Sequence, residues 1–295
     1  MDDALNLPED GPLRRRDTRP PRGSYLLYVW SSFSLATTII LRRQRLIMAT
    51  GIAMLPVAVP LMLAFFSTSQ FAENGNEVYV SLVERLHIDV LAPLLALFFA
   101  SMQVGEDVES NTLLYMLTRP TPRSAWVLGR YLAYAVVTSF ILVASILLTY
   151  TAASSLDGLG LNRNDLILTA HYCGVAVMAV AGYGAVAMWL GAATRRPIVY
   201  GVLLLYFWQG LAMIVPGLVD FLTIKKYTDA MLPVLARARG LVEIETSLGT
   251  FQKQALLIDG IPALITLLGI CALFLLWTVH TVRNREYVSG RAAGS

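Results

Sequence analysis

The sequence predicts an all-α integral membrane protein, with six transmembrane helices preceded by an N-terminal interfacial amphipathic helix. Three observations carry that expectation. Of 295 residues, 56% are hydrophobic and only 15% are charged, more apolar surface than a soluble domain of this length buries. Six stretches carry no charge at all: 46–72, 90–105, 131–156, 166–194, 197–219 and 260–282. About 20 apolar residues cross the ~30 Å hydrocarbon core as a helix, and all of these runs except 90–105 reach that length. Finally, sixteen of the 23 Lys and Arg fall on the side that would hold both termini. Five of the remainder sit in one long loop, where the positive-inside bias weighs little, so both termini are expected in the cytoplasm.

Residues 1–23, "MDDALNLPEDGPLRRRDTRPPRG", combine Pro, Arg and Asp with few large apolar side chains. They read as a disordered cytoplasmic tail and not as a signal peptide. Residues 24–45 read as an interfacial helix and an arginine-rich corner. On a helical wheel Leu26, Val29, Trp30, Phe33, Ala36 and Ile40 share one side, and Ser31, Ser34 and Thr38 another. If this helix spanned, Arg42, Arg43 and Arg45 would form an external hairpin against the charge rule.

The transmembrane domain covers 46–282. Its second run, 90–105, rises roughly 24 Å, short of the core. A spanning helix must therefore start earlier, around Leu86, with Arg85, His87 and Asp89 snorkelling at the outer face. Pro56 and Pro60 interrupt the first run and Pro93 the second, and Pro216 closes the fifth. Gly182, Gly184 and Gly191 allow close helix contact in the fourth. The extracytoplasmic segment 219–258 mixes apolar residues with both signs of charge, which suits short helices on the outer membrane face or a re-entrant dip. Residues 283–295 form a second cytoplasmic tail.

Chemistry within the spans is sparse. Membrane enzymes and secondary transporters place ionisable groups there, yet the charge-free runs hold only His171 and His280, near helix ends. Cys173 and Cys271 both lie in apolar runs and act as small hydrophobes. No paired carboxylates, nucleophile elbow, metal-ligand spacing or Gly-rich phosphate loop occurs. No cofactor is therefore expected on this chain, and no nucleic-acid partner is implied.

One stretch departs from this pattern. Residues 105–124 crowd Glu106, Asp107 and Glu109 together, then continue through Leu113, Leu114, Met116 and Leu117 to Arg119, Pro120 and Arg123. Acids ahead of a short amphipathic helix suit its dipole. Proline then stops that helix, and Ser124 is placed to cap the third span, with Trp126 at the interface.

The stretch "GEDVESNTLLYMLTRPTPRSAWVLGRYLA" resembles the signature between the second and third spans of type-2 ABC exporter permeases, the ABC-2 type. Gly105, Glu106, Glu109, Thr112, Leu117, Arg119, Pro120, Arg123, Gly129 and Arg130 match it position by position; Asn111 stands where glycine is common. The resemblance implies an ABC-2 permease-like fold and a coupling helix seated in a groove of a separate ATPase. Glu106, Asp107, Glu109, Thr112, Leu113, Leu117, Arg119, Pro120 and Arg123 would form that contact. It further implies two ATPase copies carrying ATP and Mg and a second permease chain (identical or related); abundant Arg and Ala with few Lys suggest a bacterial protein, and with it a cytoplasmic membrane. A membrane anchor or assembly factor that recruits a cytoplasmic partner without transporting anything is the alternative reading.

Overall fold

The structure is a computed structural model that describes residues 24–66, 75–109, 122–156, 159–160, 162–194, 196–210, 221–233, 241–246, 249–254 and 258–284. For residues 43, 45, 106–109, 241–246 and 249–254 it describes the backbone alone. Four helices are long and apolar enough to cross a membrane, or five when one bent pair is read as a single span.

Helix α1 (Tyr25–Ile40) has 16 residues, too few for a span at 1.5 Å per residue. Its predicted apolar side divides in two. Val29, Phe33, Ala36 and Ile40 turn toward the protein, whereas Leu26 and Trp30 are exposed. After a break at Leu41–Arg42, α2 (Arg43–Ala53) and α3 (Leu55–Phe66) form the bent pair, at 41°. Proline explains the bend. Pro56 has no N–H to continue the ladder, and Val57 N–H donates to the Met54 carbonyl at 3.1 Å. The Ala53 carbonyl is thereby released, and the Ser145 hydroxyl donates to it instead.

The next span is one helix in three parts: α4 (Gly75–Leu82), a π-helical stretch (Val83–Leu91) and α5 (Ala92–Glu109). It starts at Gly75, about ten residues before the expected Leu86. Its polar first turns, with Asn76, Glu77 and Ser81, had no apolar signature. Arg85 is exposed, whereas the snorkelling expectation fails for the other two. His87 is fully buried, and Asp89 forms an ion pair with Lys225.

Helix α6 (Arg123–Ala153) begins directly after Pro122, which occupies the cap position. Ser124 is thus inside the first turn, and its Oγ accepts from the Tyr25 hydroxyl at 3.2 Å rather than capping the helix. Helix α7 (Arg163–Ala193) is capped by Asn162, whose side chain accepts the Arg163 N–H at 2.8 Å. Asp165 in its first turn complements the dipole. Helix α8 (Pro197–Val202) continues through a π-helical turn, Leu203–Phe207. The apolar helix Pro197–Gly210 is shorter than a span; 211–220 lie outside the described residues, so the fifth predicted span, 197–219, is described only as far as Gly210.

Beyond it come α9 (Ile224–Ala230) and an antiparallel hairpin of β1 (Leu241–Thr246) and β2 (Gly249–Gln254). Helix α9 is a short helix of the kind expected in this segment, and the hairpin is an element the sequence reading did not anticipate. Val242, Ile244 and Thr246 alternate with Glu243 and Glu245, a period-2 signal, and Ile244 pairs with Phe251 in register. Helix α10 (Gly260–Asn284) closes the bundle.

Helix α7 organises the core through its small residues. A Cβ on Gly191 would lie 2.4 Å from the Ser101 carbonyl oxygen, and one on Gly184 would lie 2.0 Å from the Tyr134 ring. Glycine at these positions permits contact that no other residue allows. Tyr134 donates to the Val180 carbonyl at 2.9 Å, and Tyr131 to Ala181 at 2.9 Å. At the other side of α7, Trp189 stacks on Trp277 of α10 with ring centroids 4.8 Å apart. The outward face of α10 remains apolar and exposed at Ile261, Ile265 and Leu276, as a lipid-facing surface requires.

Candidate functional site

Helix α5 leads into residues 105–124 and α6 leads out, so the ends of these helices fix where that segment emerges. Glu106, Asp107 and Glu109 continue α5 as helix. Their side chains lie outside the described residues. So do residues 110–121, which include Thr112, Leu113, Leu117, Arg119 and Pro120. Of the predicted contact residues, Arg123 alone has a described side chain. Its Nη1 donates to the Arg283 carbonyl at 2.7 Å and, more weakly, to Val282 at 3.5 Å. A cation thereby satisfies the last carbonyls of α10 and faces the negative end of its dipole.

About two turns further along α6 lies Arg130, only 2% exposed. Its Nη1 donates to the backbone carbonyl of Gln103 in α5, and its guanidinium lies 4.6 Å from the centre of the Trp126 ring. Spacing explains the second contact, because residues i and i+4 share a helix face. Arg130 therefore joins the two helices that flank the 105–124 segment, close to where each meets it.

Next to Arg130, Gly129 brings in α1. A Cβ there would sit 2.5 Å from the Val29 carbonyl oxygen, 2.6 Å from Ser32 Cβ and 2.9 Å from Phe33 N. Backbone thus meets backbone at the crossing. Ser32 donates its hydroxyl proton to the Trp126 carbonyl at 3.1 Å, and Tyr25 reaches Ser124. At the same end, Gly191 of α7 touches α5, and a Cβ on Gly105 would lie 3.9 Å from Pro197 of α8.

Residues 123–130 are consequently a node where α1, α5, α6 and α10 are tied together, with α7 and α8 packed on α5 beside it. Tyr25 and Arg283, near opposite ends of the chain, both reach it. The arrangement suits mechanical work. These contacts join the ends of several helices beside the 105–124 segment. Among the described residues no cluster of His, Cys, Asp and Glu could hold a metal ion.

A family model described as an ABC-2 family transporter protein matches residues 41–209. The chain belongs to that family. No curated protein matches it. The matched region of the permease runs from α2 through α8 and the π-helical turn that follows it, and includes both flanks of the 105–124 segment. It leaves out α1, α9, the hairpin and α10.

The sequence counted Arg130 among the inner-side charges and matched it to the family motif, and neither observation pointed to its burial. The i, i+4 pairing with Trp126 beside a glycine was the available signal. Burial of Glu84 and His87 was missed for a different reason: both precede the apolar run that marks their helix.

Proposed function

We propose that the chain is the permease subunit of an ATP-driven ABC exporter, coupled through residues 105–124 to a separate ATPase. In this reading two permease chains, most simply identical, line the pathway in a bacterial cytoplasmic membrane. Both termini face the cytoplasm, and α1 lies in the inner interface. Two ATPase subunits hold ATP and Mg; this chain contributes no nucleotide site. Family membership supports the permease role, and the node at 123–130 supports the coupling role. Both helices flanking the segment are fastened to other elements where they meet it, so a push on the segment reaches the bundle instead of being lost in a slack loop.

Glu106, Asp107 and Glu109 give the segment its acidic approach, complementary to a basic groove. Leu113 and Leu117 add apolar contact. Reversing all three acids to Lys is expected to lower the ATPase retained on affinity-tagged permease by about tenfold or more, with the thermal transition of the permease unchanged. Undiminished retention would show that the acids do not face the ATPase.

A further inference from the structure

Helix α9 is embedded in the bundle: Ile224, Tyr227, Thr228 and Asp229 are buried. Ile224, its first residue, packs on Gly182, where a Cβ would lie 3.3 Å from Ile224 Cγ2. Gly182 is eleven residues from the end of α7 at Ala193, roughly 16 Å along the axis, and further still from Arg163. The residues that close α9 lie nearer the other end of α7. His171 Nε2 is 2.8 Å from the Met231 carbonyl oxygen, and a Cβ on Gly260, where α10 starts, would be 3.7 Å from the Ala230 carbonyl oxygen. Helix α9 therefore runs from the depth of a span toward the end of the bundle opposite the 105–124 segment.

Its deep end is held by charge. Lys225 pairs with Asp89, and both side chains are largely buried. Ionisable groups at such depth are costly and mark function. A buried pair repays its desolvation only when its remaining lone pairs are satisfied. Asp89 Oδ1 is buried and has no hydrogen-bond partner among the described residues. An apolar pair would fasten α9 at least as firmly, so permanent attachment does not account for these two residues. Asp89 also belongs to the π-helical stretch Val83–Leu91. The second π-helical turn, Leu203–Phe207, is joined to that stretch by the Tyr206 hydroxyl, which donates to the Val90 carbonyl at 2.7 Å. π-Helical turns are rare and concentrate at functional sites.

We propose that the Asp89–Lys225 pair is a releasable latch. Closed, it fixes the deep end of α9 to the second span; open, it lets that end swing away about the contact of Met231 with His171. Opening belongs to the transport cycle, so this inference rests on the permease role proposed for the chain. A charged pair suits the task because water entering on release solvates each partner, whereas parted apolar side chains would resist exposure. Thr228 reports the movement. It is three residues on from Lys225, hence on the same helix face, and it is fully buried.

Thr228→Cys, with Cys173→Ala and Cys271→Ala, leaves the ion pair intact and puts the sole thiol on that face. In the full chain in lipid nanodiscs, a water-soluble methanethiosulfonate is expected to modify it slowly. Adding Asp89→Asn or Lys225→Gln is expected to raise the rate about tenfold as the open population grows. The exchange Asp89→Lys with Lys225→Asp is expected to restore protection, at an unchanged thermal transition. Single variants that label no faster overturn the latch whether or not an ATPase is present, and so does a well-folded exchange that stays fast. With the ATPase bound, trapping by ATP, Mg and vanadate is expected to raise labelling of the intact pair about tenfold. An ATPase that binds and hydrolyses ATP without changing the rate marks a static staple and overturns the proposal. Wild-type chain that retains no ATPase defeats the permease role itself, and the transport-cycle opening with it.

Discussion

Arg130→Ala is expected to loosen the coupling end of the permease and lower the ATPase retained on it about tenfold. The buried guanidinium makes a charge-assisted hydrogen bond to the Gln103 carbonyl and lies over the Trp126 ring. A hydrogen bond involving a charged group contributes about 1.5–3 kcal/mol, and a desolvated cation–π contact about 2 kcal/mol. Truncation also leaves a cavity where a large buried side chain stood. The thermal transition in detergent should therefore fall as well. Arg130→Lys retains a cation and a donor but lacks the planar fork, so it should recover part of both losses. Retention at wild-type level in the Ala variant would show that Arg130 is not what aligns the two flanks of the segment.

Gly129→Ala tests the same node from the side of α1. The added methyl would meet the Val29 carbonyl oxygen, Ser32 Cβ and Phe33 N, all within 2.9 Å. None of these is the tip of a flexible side chain, so α1 and α6 must separate to admit it. Overpacking of this kind costs about 1–3 kcal/mol, and here it also pulls apart the Ser32–Trp126 and Tyr25–Ser124 contacts. The expected result is a lowered thermal transition with reduced ATPase retention. Gly174→Ala is the control: a Cβ there meets nothing within 4 Å, and alanine improves helix propensity. Equal transitions for the two variants would mean that α1 does not cross α6 at Gly129.

The spans were legible wherever an unbroken apolar run reached the length a bilayer requires, as in α6, α7 and α10. That rule looks only at side-chain hydrophobicity, so it placed the second span at its apolar end and missed the polar turns from Gly75 onward. His87 and Asp89 were assigned to the interface for the same reason. In the folded chain their polar groups are met by Ser145, Thr149 and Lys225, which lie far away in sequence and could not be anticipated from local pattern. The hairpin at 241–254 was hidden by composition: its mixed charges drew attention away from the alternation that marks a strand. The coupling segment shows the reverse case. Its acidic and apolar residues are a reading of the sequence alone, residues 110–121 lie outside the described residues, and the structure describes its two flanks. What sequence could not supply was the node between them, since glycine at 129 announces a close approach without naming its partner.

The central claim is that residues 105–124 are where the ATPase grips the permease. Photo-crosslinking from that segment tests it most directly. A benzoylphenylalanine placed at Leu113 or Leu117 in the assembled transporter, in lipid, should yield an adduct with the ABC ATPase subunit. The same probe at Leu166, exposed at the opposite end of the bundle, should yield none. Adducts from Leu113 and Leu117 that exclude the ATPase, in a complex where it is nonetheless bound, would contradict the account.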